Sequence, residues 1–163
     1  MASDMQWQQR SDRALARELG PLLEEEYGSL PPNEAWLAQL IHVIRGEMET
    51  AADVVPLAAW AFGDEPLRTE ETAAALETDA ARHVLVRLVA ELARIVLLDE
   101  PTATHILQHL RNHFEEEQGL TVTEVEAPIR AALTGRHDGP PLPPVMALLG
   151  RERCMRRIAA ALR

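Results

Sequence analysis

The sequence has a single cysteine, no lysine and no long apolar run. One cysteine, Cys154, excludes a disulfide framework and a cysteine-based zinc cluster, and it is typical of a protein kept in a reducing compartment. No apolar stretch approaches the ~20 residues that a membrane-spanning helix needs, and the N-terminus lacks the apolar segment of a signal peptide. We therefore expect a soluble, cytoplasmic protein with no membrane partner.

The absence of lysine puts every formal positive charge on arginine. Sixteen arginines face 26 acidic residues in a chain of 163, and the net charge is −10. The last 34 residues hold seven arginines against only Asp138 and Glu152, a net charge of +5, which leaves −15 on the first 129. A charge of −10 argues against nucleic acid as a partner, but a basic segment on an acidic body keeps that partner class open.

The apolar residues recur at three- and four-residue steps nearly throughout, and strict alternation is absent, so the pattern predicts an all-α fold. Helices are predicted over residues 33–44, 78–97 and 101–118, with Asn33 and Thr78 at the starts of the first two and Gly119 closing the last. Gly135 is predicted to close a later helix that runs to about Leu133. The apolar residues of 78–97 cover more than half of the circumference, including Val96. This predicts a central helix that is packed on several sides.

Proline and glycine predict where helices end. Gly20-Pro21 is expected to break the first helix, and Thr-Glu-Val-Glu at 123–126 is a predicted capping box for a later one. Residues 136–144 contain four prolines and a glycine, so they are predicted to form a loop. Two short helices, the first from about Val145, are expected to end the chain and to meet at Gly150.

Residue patterns for catalysis or metal binding are weak. His105, His109 and His113 share one helix face, and two imidazoles at i, i+4 can ligate a metal. No carboxylate completes that motif and a solvated polar stripe explains the same spacing, so we expect no metal site. Cys154 lies among arginines that could lower its pKa, but a lone cysteine is more typical of a core position. No glycine-rich phosphate loop or catalytic triad pattern is present, and we expect no cofactor and no catalysis by this chain alone.

The segment 126–163 combines a capped helix, a Gly/Pro loop that bears Leu142 and two arginine-rich helices. An exposed apolar side chain beside guanidinium groups suits single-stranded RNA, whose unstacked bases need a stacking surface and whose phosphates need cations. The alternative is that the arginines only form ion pairs with the acidic body. The residues alone leave both interpretations open.

This segment resembles the carboxyl-terminal anticodon-binding domain of bacterial glutamyl-tRNA synthetases, an α-helix cage of two helical subdomains. The motifs are APIRAALTG at 127–135, GPPL at 139–142 and ALLGRERCMRRIAAAL at 147–162, in the order and nearly the spacing of the family. WLAQLIHVIRGEMET at 36–50 is similar to the first helix pair of the cage. The resemblance therefore covers most of the chain.

The domain organisation follows from the same resemblance. It implies a first cage subdomain over residues 33–100, a second over 101–163 with the basic C-terminal segment, and a poorly matching helical extension over 1–32. The catalytic Rossmann domain of the family has no counterpart in the sequence. We therefore expect a chain that is not an enzyme, or that acts as a glutamate–tRNA ligase only as part of a longer chain.

The resemblance also implies which residues bind RNA, because the family contacts unstacked anticodon bases with the helix and loop that correspond to these motifs. The predicted RNA-binding residues are Arg130, Arg136, Gly139, Pro140, Pro141, Leu142, Arg151, Arg153, Arg156 and Arg157. One departure is Glu47, which stands where family members that discriminate the third anticodon base carry arginine. An ionised carboxylate cannot donate a hydrogen bond to a base, so we expect the usual anticodon discrimination to be lost.

The function that the resemblance implies is a free-standing, non-catalytic tRNA-binding module. Its expected partners are glutamate tRNA and a separate enzyme or synthetase, and no DNA partner is expected. Two alternatives remain. The chain is a repurposed cage that serves as a protein-interaction or regulatory subunit through its acidic first 129 residues, or it is an excised piece of a full-length glutamyl-tRNA synthetase.

Overall fold

The computed structural model describes residues 9–28, 30 and 33–163, and within these ranges the regular structure is helical, with no strand. The chain divides into two units, Met1–Phe62 and Gly63–Arg163. The family resemblance implied a boundary between two cage subdomains at residue 100. Across the described residues, no helix is long and apolar enough to cross a membrane.

The first unit is built on two helices that pack against each other, α1 (Asp12–Tyr27) and α2 (Glu34–Ile44). Asn33 caps α2 as predicted, because its side chain accepts a hydrogen bond from the Ala35 N–H. Short 3-10 turns and the single-turn helix α3 (Val54–Leu57) complete the unit. The fully buried side chains recur at helical spacing along α1 and α2: Leu15, Leu19, Leu23, Leu40, Ile41 and Ile44.

Helix α1 continues through Pro21, so the predicted break at Gly20-Pro21 is wrong. Proline inside a helix removes one hydrogen bond and costs about 3 kcal/mol, but Leu19 and Leu23 are both buried on the inner face and favour one continuous helix. Pro21 itself is exposed. Gly20 lies on the packed side, where an added Cβ would be 3.3 Å from the Leu37 side chain, so the glycine permits close approach of α2.

An aromatic cluster joins the end of α1 to the residues that follow α3. The Tyr27 ring stacks on Phe62 with centroids 4.6 Å apart, and the Trp36 ring meets Phe62 edge-on at 5.7 Å. The Tyr27 hydroxyl donates a 2.5 Å hydrogen bond to the Val55 carbonyl, and burial raises the pKa of this hydroxyl. The cluster therefore fixes the irregular segment of the first unit against its two main helices.

The second unit contains five helices in its described residues: α4 (Glu70–Ala75), α5 (Asp79–Ala93), α6 (Glu100–Gln118), α7 (Val122–Thr134) and α8 (Leu142–Ala161). Helix α5 contacts α6, α7 and α8, which confirms the predicted central helix. Its buried residues Val84, Leu85, Leu88 and Leu92 are packed on several sides. This also explains the unit boundary, because α5 shares its core with the helices that follow it.

Two helix ends in this unit differ from prediction by a few residues. Thr78 caps α5 as expected, but the helix ends at Ala93 and leaves Val96 97% exposed in the following loop. The capping box of α7 uses Thr121 with Glu124 rather than Thr123 with Glu126. Both pairs fit the Thr-x-x-Glu pattern, and the earlier one adds half a turn of hydrogen-bonded helix.

Helix α8 is interrupted at Gly150, whose backbone angles (φ 80°, ψ 163°) are not helical. The predicted hinge is therefore confirmed, and it separates helical residues 142–149 from 151–161. The first segment begins three residues earlier than predicted, at Leu142. Pro143 and Pro144 occupy the first turn, where the missing N–H groups would have no partner within the helix.

Gly119 and Gly135 close α6 and α7 in the left-handed conformation, with φ of 66° and 74°. A Cβ at Gly135 would lie 1.9 Å from the Leu67 carbonyl oxygen, whereas a Cβ at Gly119 would meet nothing within 4 Å. Both replacements by alanine incur the left-handed penalty of about 1 to 2 kcal/mol. We expect Gly135→Ala to cost roughly 2 kcal/mol more, since the backbone must also move.

Urea denaturation of the two variants, followed by circular dichroism, measures this difference, and Gly119→Ala is the matched control. Equal losses of unfolding free energy in the two variants would show that the contact with Leu67 is readily relieved.

Candidate nucleic-acid interface

Three arginines of the basic segment donate hydrogen bonds to carbonyls at the ends of helices. The Arg151 Nε–H donates to Leu92 O at 2.9 Å, at the end of α5. Arg153 donates to Leu149 O at 3.2 Å, where the first part of α8 ends. The last carbonyls of a helix have no intrahelical partner and carry the negative end of the helix dipole. These guanidinium groups therefore stabilise the fold.

Arg157 is the extreme case, because its side chain is 0% exposed. One terminal nitrogen donates to Leu133 O at 2.6 Å, near the end of α7, and the other donates to Gly63 O at 3.0 Å. Burial lowers the pKa of Arg157 to about 10, so the group remains charged at neutral pH. The buried position excludes direct contact of Arg157 with RNA phosphates, and its electrostatic attraction of RNA stays a prediction.

Arg130 positions the loop that the sequence singled out. It is half-buried on α7, and its guanidinium donates a 2.6 Å hydrogen bond to the Pro140 carbonyl. Pro140 is buried, whereas Gly139 is half-buried and Pro141 is exposed. The loop is thus held against α7 by Arg130. Contact of Arg130 with an anticodon base stays a prediction.

Leu142 is 1% exposed and is the first residue of α8. The expectation that a loop exposes Leu142 as a stacking surface is therefore wrong. The loop ends earlier than predicted because the two prolines that follow Leu142 fit the first helical turn. An apolar contact with an RNA base at this position would require the side chain to leave the core.

Two predicted arginines are accessible on the second unit. The Arg136 side chain is 39% exposed, and its guanidinium lies 3.3 Å from the Asp138 carboxylate. Arg156 is exposed on α8, one residue before the buried Arg157. Surface ion pairs such as Arg136–Asp138 contribute little stability, so a phosphate can replace the carboxylate at low cost. These two residues are the accessible part of the predicted RNA site.

Glu47 is exposed in the 3-10 turn Arg45–Glu47 that follows α2. The neighbouring Arg45 is directed toward α1, where its guanidinium lies 2.9 Å from Asp12. The end of α2 therefore presents a carboxylate, while its arginine takes part in an ion pair within the first unit. Loss of the usual anticodon discrimination at Glu47 stays a prediction.

Cys154 and the three histidines of α6 show no arrangement for catalysis. Cys154 is buried, and burial raises the pKa of its thiol to about 12, so it is protonated at neutral pH. His105 and His109 are exposed and His113 is half-exposed. Within the part of the chain that the structure describes, no group of three His, Cys, Asp or Glu residues is placed to hold a metal ion.

A feature that the sequence analysis missed is an open groove of about 590 Å³ in the second unit. Helix α5 lines it with Asp79, Arg82, His83, Val86, Arg87 and Ala90, and the end of α6 adds His113, Phe114 and Gln118. The sequence signal that could have indicated this groove is the four-residue spacing of Asp79, His83 and Arg87, which places them along one side of α5.

A family model described as an anticodon binding domain matches residues 14–162, nearly the whole chain. The chain belongs to this family. The match includes both units and the three motifs around Arg130, Leu142 and Gly150. The resemblance that the sequence motifs indicated is therefore confirmed.

Curated relatives of this anticodon-binding domain are ligases. The glutamate–tRNA ligase of Nitrobacter winogradskyi is 33% identical over 129 residues, which cover 77% of this chain and 26% of the ligase. Glutamate–tRNA ligase 2 of Brucella ovis is 36% identical over 154 residues, covering 90% of this chain and 32% of the ligase. The chain thus spans about a quarter to a third of the length of these relatives.

The solved structure of a glutamate tRNA ligase from Elizabethkingia meningosepticum superimposes with a TM-score of 0.82. The similarity covers 98% of this chain and 30% of that one, at 19% sequence identity. At this identity the likeness shows the fold. The predicted all-α fold of a glutamyl-tRNA synthetase anticodon-binding domain is therefore confirmed.

Proposed function

We propose that the chain is a non-catalytic, tRNA-binding module that recognises the anticodon arm of glutamate tRNA and acts in the cytoplasm with a separate enzyme. The family match over residues 14–162 carries this proposal. The names of the relatives support glutamate tRNA as the partner. The matched region is about 30% of each ligase, which supports a role in binding rather than in aminoacylation.

The accessible cations support an RNA contact on the second unit. Arg136 is half-exposed and Arg156 is exposed, and the exposed Pro141 adjoins the loop that Arg130 holds. RNA affinity depends on neutralised phosphates and so falls as salt rises. Because few predicted arginines are accessible, we expect binding that is weaker and less salt-dependent than the +5 charge of the segment implies.

Fluorescence anisotropy with labelled tRNA tests the proposal. At about 50 mM salt we expect glutamate tRNA and its isolated anticodon arm to bind with similar affinity, and both to dissociate as salt rises. Changing the third anticodon base is expected to leave affinity within about twofold, since Glu47 cannot donate a hydrogen bond to that base. A tRNA with another anticodon arm is the control.

Failure of glutamate tRNA to bind at low salt would overturn the proposal. Equal affinity for every tRNA would retain an RNA-binding module but overturn its specificity for glutamate tRNA.

A protein-interaction subunit without RNA binding is the second candidate function. The observation that favours it is the internal use of Arg151, Arg153 and Arg157 at helix ends, which removes three of the seven arginines of the basic segment from direct contact with a partner. Purification separates the two candidates. A stoichiometric protein partner without nucleic acid supports this function, whereas ribonuclease-sensitive absorbance at 260 nm supports the tRNA-binding module.

A further inference from the structure

The groove between α5 and α6 concentrates positive charge in an acidic protein. Its lining includes two arginines, Arg82 and Arg87, and one carboxylate, Asp79. The imidazoles of His83 and His113 add further ring nitrogens. The lining residues carry a formal charge of +1 in a chain of −10, and the Glu91 carboxylate that pairs with Arg87 is not part of the lining. Such a concave cationic surface raises the local concentration of anions.

Both arginines keep guanidinium nitrogens that no described contact uses. One terminal nitrogen of Arg82 donates to Leu162 O at 3.2 Å, which satisfies a carbonyl at the end of α8. The Nε of Arg87 lies 3.4 Å from the Glu91 carboxylate, and that contact does not involve the terminal nitrogens. A guanidinium has five N–H donors in a plane that matches two oxygens of a phosphate.

The groove also contains exposed apolar surface between its cations. Val86 is 56% exposed, and Ala90 lies one turn further along the same face of α5. An exposed valine beside two arginines suits a ligand that joins an anionic group to an apolar body. A nucleotide has this composition, since its phosphate is charged and its sugar and base present apolar surface.

We propose that this groove binds single-stranded RNA, with neighbouring phosphates at Arg82 and Arg87 and a sugar or base against Val86. The proposal rests on the proposed function, because the family's anticodon binding favours RNA over an acidic peptide. Arg82 and Arg87 are about 7.5 Å apart along the helix axis. Neither Arg136 nor Arg156 lines the groove, so the proposed contact is additional to those two residues.

Val86→Glu tests the groove with a matched control. Val96 is an exposed valine in the loop after α5, outside the groove, so Val96→Glu adds the same charge elsewhere on the second unit. Repulsion between RNA and the whole protein changes equally in the two variants. We expect Val86→Glu to weaken the binding of a fluorescein-labelled, unstructured heptanucleotide RNA at least fivefold at low salt, and Val96→Glu to weaken it less than twofold.

Equal affinities of the two variants, with circular dichroism showing both folded, would overturn the groove as a site. Two competition arms identify the ligand. Displacement of the RNA by a heptaglutamate peptide at equal concentration would overturn the RNA assignment. Displacement by equimolar cytidine monophosphate would show that the ligand is a free nucleotide and not an RNA strand, which would also overturn the proposal. If wild-type protein binds glutamate tRNA while Val86→Glu and Val96→Glu behave alike, only the groove proposal fails and the proposed function stands.

Discussion

Replacing Arg157 by alanine is expected to lower the free energy of unfolding by about 3 to 5 kcal/mol, because hydrogen bonds from a charged donor are lost and the long side chain leaves a cavity. The side chain is fully buried and bonds the carbonyls of Leu133 and Gly63. Its loss leaves both carbonyls without these donors in a dry environment and also opens a cavity. The two effects act in the same direction.

Arg156 provides the matched control, because it is the adjacent residue on the same helix and is exposed. Arg156→Ala is expected to change stability by less than about 0.5 kcal/mol. A third variant, Arg157→Met, fills most of the cavity but donates no hydrogen bond, so it separates the two contributions. Urea denaturation followed at 222 nm measures all three, and equal losses for Arg156→Ala and Arg157→Ala would contradict the buried position of Arg157.

The sequence predicted those parts of the fold that depend on neighbouring residues. Asn33 and Thr78 cap helices because a short polar side chain accepts from an N–H two or three residues later. Gly119 and Gly135 end helices because glycine adopts positive φ without strain. The family motifs around Arg130 and Gly150 then indicated the arrangement of the helices, which local rules do not specify.

The predictions that failed depended on contacts between distant residues. Pro21 was expected to end a helix, but burial of leucines on both sides of it outweighs the lost hydrogen bond. Leu142 was placed in an exposed loop, although the helix that it begins packs against α7. Neither result could be obtained without knowing which helix lies opposite.

The arginines of the basic segment show that the candidate site, too, depends on contacts that the sequence does not specify. Their spacing places residues 151, 153, 156 and 157 around more than one face of a helix, but spacing does not say which face meets a neighbour. In the structure the ends of α5 and α7 receive Arg151 and Arg157, and Arg156 is left at the surface. A charge count therefore overstates the cations that RNA can reach.

Reversing the charge of the two accessible arginines, in the double variant Arg136→Glu/Arg156→Glu, is expected to weaken tRNA binding about 100-fold at 50 mM salt, because phosphate contacts supply most of the affinity. Each lost phosphate contact should also reduce the slope of log affinity against log salt by about 1. Neither side chain is buried, so the fold is expected to remain intact. Anisotropy titrations with glutamate tRNA at several salt concentrations measure both quantities.

The double variant Arg13→Glu/Arg17→Glu controls for net charge, because it makes the same change at two exposed arginines of α1 in the first unit. If RNA contacts Arg136 and Arg156 directly, the control loses less than about fivefold in affinity and keeps its salt slope, because it removes no assigned phosphate contact. Equal losses in the two double variants would mean that tRNA responds to overall charge alone, and the site at Arg136 and Arg156 would then be rejected.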